Sequence, residues 1–213
     1  MLTIHHLGKS QSERIIWLCE ELSLPYELKR YERDAVTMLS PPELKALHPL
    51  GAAPVITDGE LVLAESGAIM DYIIAKYGGG RLTLDASHPD FAQYLYWLHF
   101  ANGNLQPNMG RNMMVRRLKL PDDNPTLVIT KARLDRALDL VENHLRDAVY
   151  LAGTEFTAAD IMMGFTLTTM RLFTPLDLGP YTHIRAYLRR IGDRPAYQRA
   201  MHKGDPDLVP LLS

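Results

Sequence analysis

The stretch LTIHHLGKSQSERIIWLCEEL, residues 2–22, determines how the chain begins to fold. Its first six residues, Leu2–Leu7, are apolar at both ends and predict a strand. From Ser12 to Leu22 the apolar side chains recur at three- and four-residue spacing, which predicts an amphipathic helix. The loop between these elements carries Ser10, so two hydroxyl groups lie where the strand gives way to the helix.

The two serines allow two interpretations. Ser12 has the spacing of an N-cap, with Glu13 in the first turn, because a cap oxygen accepts hydrogen bonds from the free N–H groups of that turn. Ser10 lies further out in the loop, where its O–H can point away from the helix. A thiolate held there by a hydroxyl and by the positive end of the helix would have a lowered pKa. This stretch alone favours ordinary capping.

The rest of the first eighty residues alternates between strands and helices. Tyr26–Tyr31 alternates in polarity as a half-exposed strand does, and PPELKALHPL at 41–50 predicts a short helix that begins at a proline. Two short β-rich runs follow, separated by Asp58-Gly59, which is typical of a hairpin turn. A helix is predicted from Ser66 to about Tyr77. The order is therefore β-α-β-α-β-β-α.

After Leu84 the sequence predicts helices only. The helical segments are about 89–118, 125–147, 157–172 and 181–191. This change predicts two domains, an α/β domain at 1–80 and an all-helical domain at 89–213. In the second domain Thr157 and Asp160 have the spacing of a capping box, to which we assign no chemistry. Its three central methionines favour core over pocket positions (Met109, Met113 and Met114).

The composition excludes several classes of function. The 213 residues contain 23 Lys and Arg against 25 Asp and Glu, a net charge of −2, which leaves no basic surface for nucleic acid or an anionic membrane. The single Cys19 excludes an internal disulfide and is expected to be a buried structural thiol.

His5 and His6 point to opposite faces of a strand and make a poor metal pair, so no metal is expected. Without a signal-peptide pattern or a long apolar run, a cytoplasmic location is expected.

Two more segments carry candidate site residues. In GAAPVI, Pro54 has two interpretations: a cis bond that lets Ala53 present its N–H and C=O to an extended peptide, or a trans proline that starts an edge strand, which is favoured without other evidence. In LVLAESGAIMDY, the first turn after Ser66 can hold a carboxylate, and Glu65 can pair with an ammonium group. Together they describe a site for the free end of an amino acid. A plain capped helix beside a solvated glutamate is equally compatible.

In order and spacing, five segments resemble the cytosolic glutathione S-transferases over essentially the whole chain: SQSERIIWLCEEL, PPELKALHPLGAAPVI, LVLAESGAIMDYI, TAAD and RIGDRPAYQRAM. The segments PPELK…HPLG and LAESG are most similar to a serine-type branch known from bacteria and fungi. The resemblance implies a thioredoxin-like domain that binds glutathione, a helical domain with an electrophile pocket, and a homodimer.

The resemblance also implies residue roles. Ser10, four residues before Arg14, would donate its O–H to the glutathione sulfur. Ala53, before a cis Pro54, would pair through its main chain with the cysteinyl unit. The γ-glutamyl end would be held by two adjacent residues, Glu65 and Ser66.

The sequence departs from the family pattern at the anchor of the glycyl carboxylate. Many relatives carry Lys, Arg or Gln where this chain has Ala52, and Asn-Pro is common where it has His48-Pro49. Lys45 and His48 are the remaining candidates for that anchor. The resemblance implies a transferase of detoxification type whose acceptor the sequence does not identify. Two alternatives stay open: a glutathione peroxidase or disulfide-bond reductase on the same site, and a non-catalytic glutathione-binding or interaction module.

Overall fold

A computed structural model describes all residues from Met1 to Ser213, and the chain divides into two compact units. The first unit contains residues 1–83 and 192–210, and the second contains residues 84–191 and 211–213. No helix is both long enough and apolar enough to span a bilayer.

The first unit is built on a four-stranded sheet with strand order β2-β1-β3-β4. β1 pairs with β2 in parallel and with β3 antiparallel, and β3 pairs antiparallel with β4. The predicted order β-α-β-α-β-β-α and its hairpin at Asp58-Gly59 are confirmed. The elements are β1 Leu2–Leu7, α1 Glu13–Leu22, β2 Glu27–Tyr31, α2 Pro42–Lys45, β3 Val55–Asp58, β4 Leu61–Ala64 and α3 Ser66–Ile73.

The alternating side chains of β1 place its two histidines on opposite faces of the sheet, as predicted. His5 bonds Tyr31 Oη through Nδ1 at 2.9 Å, on the side where a small apolar cluster forms around Leu44 of α2. His6 lies on the other side and is completely buried. A helical extension with π geometry, Ile74–Gly78, continues α3.

The last helix of the chain, α9 (Pro195–Gly204), belongs to the first unit and packs on α1. The expectation that all of 89–213 forms the helical domain is therefore wrong for residues 192–210. The physical reason lies in side-chain contacts between the two helices. The Trp17 ring meets the edge of Tyr197 at 4.9 Å, and Arg194 forms two hydrogen bonds of 2.6 and 2.8 Å with Glu21.

The second unit is helical, as predicted. Its helices are α4 Phe91–Phe100, α5 Gln106–Arg117, α6 Pro125–His144, α7 Ala158–Leu167 and α8 Thr182–Gly192. The single helix predicted over 89–118 is instead two helices, because a π turn at Ala101–Leu105 joins α4 to α5. The capping box of Thr157 and Asp160 is confirmed at the start of α7.

Candidate functional site

The loop between β1 and α1 carries Ser10 and Ser12, and the two side chains make different contacts. The contacts of Ser12 differ from those that its spacing predicted. Ser12 occupies the N-cap position of α1 with φ −68° and ψ −15°, and its side chain makes no capping hydrogen bond. The prediction of a side-chain cap is therefore wrong. With helical torsion angles at this position the oxygen turns toward β1, where it accepts a hydrogen bond from the Leu7 N–H at 3.2 Å.

The Ser12 hydroxyl instead lies between two buried polar side chains. Its Oγ is 2.9 Å from Nδ1 of His6 and 2.7 Å from Oγ of Ser10. The Ser10 Oγ also accepts from the Ser12 N–H at 3.3 Å. Ser10 retains 6 % of its surface exposed, whereas Ser12 and His6 are completely buried. Of these three residues Ser10 is the one that reaches solvent, next to the positive end of α1.

A second set of hydrogen bonds connects the other predicted site residues. The completely buried Arg14 donates from Nη1 to Oε1 of Gln11 at 3.1 Å and to Oγ of Ser66 at 3.4 Å. Gln11 in turn donates from Nε2 to the carbonyl oxygen of Ala53 at 3.3 Å. The loop that carries Ser10 is therefore fixed relative to both Ala53 and Ser66. Burial lowers the pKa of Arg14 to about 9, while the charge of Glu13 opposes that shift.

The sequence patterns assigned no role to Gln11. An amide side chain can donate and accept at once, which suits it to join a guanidinium group to a carbonyl oxygen. The available signal was its place between the two serines and three residues before Arg14.

The Ala53–Pro54 peptide bond is cis, as the family resemblance implied. Farther along the chain, Glu65 precedes α3 with φ 71° and ψ 115°, an uncommon conformation for a residue other than glycine. Such a conformation costs on the order of 1–3 kcal/mol, and strained residues of this kind cluster at functional sites. The Glu65 side chain is exposed, and the buried Ser66 is the first residue of α3. A carboxylate acceptor and the free N–H groups of a helix start thus lie side by side.

His48 lies apart from this network. Its Nδ1 accepts a hydrogen bond from the Leu50 N–H at 3.2 Å, within the turn that precedes the cis proline. Lys45 ends α2 and is exposed. No hydrogen bond of either side chain connects it with Gln11 or Arg14.

Cys19 is completely buried, and burial raises the pKa of its thiol to about 12. These properties fit the structural role predicted for it, because a thiol that stays protonated is a poor nucleophile.

The helical unit contains a cavity of about 740 Å³, beside α5, α6 and the segment that follows α7. Its lining mixes apolar and charged side chains, including Leu134, Arg116 and Asp177. None of the three central methionines lines it: Met109 is completely buried and Met114 is largely exposed. At Met109, the interpretation as a core residue is confirmed.

The sequence of this chain matches two family models and several known proteins. Residues 3–75 match the model of the glutathione S-transferase N-terminal domain, and residues 129–190 match that of the C-terminal domain. Glutathione S-transferase 3 of Schizosaccharomyces pombe is 32 % identical over 225 residues, covering 100 % of this chain and 92 % of the relative. Glutathione S-transferase 1 of Saccharomyces cerevisiae is 27 % identical over 226 residues, covering 95 % of each.

A solved structure supports the same assignment. A glutathione S-transferase from Actinobacillus pleuropneumoniae superposes with a TM-score of 0.88 at 34 % identity, covering 96 % of this chain and 93 % of that one. These matches extend over both units of the chain and include the β1–α1 loop and the cis proline. The chain therefore belongs to the glutathione S-transferase family.

Proposed function

We propose that this protein is a glutathione transferase, which binds glutathione in its first unit and conjugates the thiolate to a small hydrophobic electrophile. The observation that carries this proposal is the network from Ala53 through Gln11 and Arg14 to Ser66. It fixes three groups suited to one extended peptide: a hydroxyl, a main-chain edge and a helix start.

Each part of glutathione has a proposed partner. The γ-glutamyl carboxylate binds the first turn of α3 at Ser66, and the ammonium group of the same unit pairs with the exposed Glu65. The cysteinyl unit pairs with the main chain of Ala53, next to Pro54. The Ala53 carbonyl already accepts from Gln11, but a carbonyl oxygen has a second lone pair for the ligand. For the glycyl carboxylate, Lys45 and His48 remain the candidates.

The chemistry required of Ser10 is modest in free energy. Lowering the thiol pKa by about two units requires roughly 2.7 kcal/mol of preferential stabilisation of the thiolate. A hydrogen bond to a charged group contributes about 1.5–3 kcal/mol, and a helix N-terminus contributes about 0.3–1 kcal/mol. The Ser10 hydroxyl and the start of α1 are sufficient together, without any covalent intermediate on the protein.

A calorimetric titration of glutathione into the protein tests the binding, and the initial rate with a chloronitrobenzene tests the reaction. We expect Ser10→Ala to retain binding and to lose at least tenfold in conjugation rate. Ser87→Ala, an exposed serine of the helical unit, is the control and should behave as the unmodified protein. Absence of binding heat at millimolar glutathione would refute the proposal.

The same assay format separates the two alternatives. An organic hydroperoxide and hydroxyethyl disulfide, measured beside the chloronitrobenzene, distinguish peroxidase and reductase activity from conjugation. Binding without turnover of any of the three would favour a non-catalytic glutathione-binding module. The homodimer that the family resemblance implies and the cytoplasmic location that the sequence predicts are part of the proposal, and sedimentation equilibrium tests the dimer.

A further inference from the structure

A buried chain of four polar side chains runs from Asp205 at the end of α9 to Ser10. Nε2 of His6 lies 3.2 Å from Oδ2 of Asp205, and Nδ1 of the same ring lies 2.9 Å from Oγ of Ser12. The Ser12 Oγ is 2.7 Å from Oγ of Ser10. All four residues belong to the first unit.

With a neutral His6, an ionised Asp205 sets the direction of the hydrogen bonds along this chain. Burial alone would raise the pKa of Asp205, but the bond from His6 and the Lys9 N–H hold that pKa below its usual range, so the group is an ionised acceptor. In the neutral imidazole of His6, Nε2 therefore carries the hydrogen, which leaves Nδ1 as an acceptor. Ser12 then donates to His6, and Ser10 donates to Ser12.

This arrangement conflicts with a simple role for Ser10. While His6 is neutral, the Ser10 O–H points to Ser12 and cannot also point to a ligand sulfur. The Ser10 oxygen is the acceptor that the chain offers to an incoming thiol. The hydrogen bonds from Ser10 to Ser12 and from Ser12 to His6 must both reverse before the Ser10 O–H can stabilise a thiolate, whereas the bond from His6 to Asp205 keeps its direction.

We propose that glutathione is ionised at Ser10 by proton transfer along Ser10 and Ser12 to Nδ1 of His6, with Asp205 holding the resulting imidazolium. This inference rests on the proposed glutathione site. The S–H bond breaks and its proton goes to the Ser10 oxygen. The former Ser10 proton passes to Ser12, and the former Ser12 proton passes to His6. No electrons are transferred: a thiol and an imidazole become a thiolate and an imidazolium.

The transfer leaves each group in the orientation that the reaction needs. Ser10 now points its new O–H at the thiolate, Ser12 donates to Ser10, and His6 donates to Ser12 and to Asp205. The proton is retained inside the protein next to a carboxylate rather than released to solvent. His6 and Asp205 act on the sulfur only through the serines, so they are positioning residues.

The His6 imidazole is closely packed against the end of α9, which holds it beside Asp205. A Cβ added at Gly204, the last residue of α9, would lie 3.2 Å from Nε2 of His6 and 3.0 Å from Cδ1 of Ile16. A side chain there would push these two atoms away by a few tenths of an ångström, so glycine suits this close approach. The charged groups around the pair are Asp205 itself and, acting on its charge, Arg30 and Arg33 from the β2 side.

The test counts protons in the unmodified protein. Glutathione is titrated calorimetrically near neutral pH in buffers of different ionisation enthalpy, which gives the protons released on binding. The thiolate formed is measured in parallel by its ultraviolet absorbance. The proposal predicts thiolate formation with almost no proton release, because His6 keeps the proton. Release of about one proton per thiolate would overturn the relay and leave the glutathione site standing. Absence of binding would overturn both.

Two variants test the individual residues in the same assay. His6→Asn has no group that takes up a proton, so proton release per thiolate should rise toward one. In Asp205→Asn the imidazolium loses its carboxylate, and we expect the pKa of the bound thiol to rise by about one unit, a tenfold loss of thiolate at a given pH. Asp207→Asn makes the same change at an exposed position two residues away and should leave both readouts unchanged. Equal behaviour of Asp205→Asn and Asp207→Asn contradicts the proposal.

Discussion

The replacement Ser12→Ala tests whether Ser12 belongs to a buried hydrogen-bond network rather than capping α1. Its contacts in the structure give the expected loss in the free energy of unfolding. The Ser12 Oγ is completely buried and has four polar partners, the N–H and the carbonyl oxygen of Leu7, His6 and Ser10. Loss of a buried partner costs about 1–3 kcal/mol for each group left unsatisfied, and the two side-chain partners have little room to find others. We therefore expect the free energy of unfolding to fall by about 2–4 kcal/mol. An ordinary cap would cost about 1 kcal/mol.

Asn124→Ala is the matched comparison, because the Asn124 side chain does cap its helix by accepting from the Thr126 N–H at 3.0 Å. The two tryptophans report on different units, Trp17 on the first and Trp97 on the second. Urea unfolding is followed by fluorescence in backgrounds that retain one tryptophan each. The Ser12 variant should shift the Trp17 transition by the larger free energy. A cost equal to or below that of Asn124→Ala would refute the assignment of Ser12 to a buried network.

Three other outcomes are expected. Ser66→Ala and Glu65→Gln should each weaken glutathione binding about tenfold in calorimetry, roughly 1.4 kcal/mol, with little change in the maximal rate at saturating glutathione; an unchanged dissociation constant would remove these residues from the site. Cys19 should not react with a disulfide reagent at pH 8 in the native protein and should react on unfolding, because burial raises the pKa of its thiol to about 12. Thr157→Ala should lower the free energy of unfolding by about 1–2 kcal/mol, since its capping box is formed, and a neutral result in urea would contradict that cap.

Local patterns predicted the elements of residues 1–80, since period, proline position and an Asp-Gly turn act within a few residues. They also separated Ser10 from Ser12, although they gave Ser12 the wrong partner. The direction of the Ser12 oxygen depends on two torsion angles that the residue type does not determine. Its neighbour Gln11 was missed because its place between the two serines and its spacing to Arg14 do not show which groups the amide joins.

The packing of α9 on the first unit depends on contacts between residues far apart in sequence, and a local sequence pattern cannot predict such contacts. Asp205 reaches His6 across 199 residues, and Arg194 reaches Glu21 across 173. A charged residue at a helix end is ordinary in a sequence. Its role becomes visible only when the fold brings it to a buried imidazole.

The central claim is that Ser10 belongs to a site that binds glutathione as its thiolate. The most direct measurement is the pKa of the thiol in the binary complex, followed by the ultraviolet absorbance of the thiolate across a pH series. A free cysteine thiol has a pKa of about 8.5, and we predict a value about two units lower in the complex. In Ser10→Ala the pKa should return most of the way to that of the free thiol. A bound thiol that titrates like the free one, or a shift that Ser10→Ala leaves intact, would contradict the account.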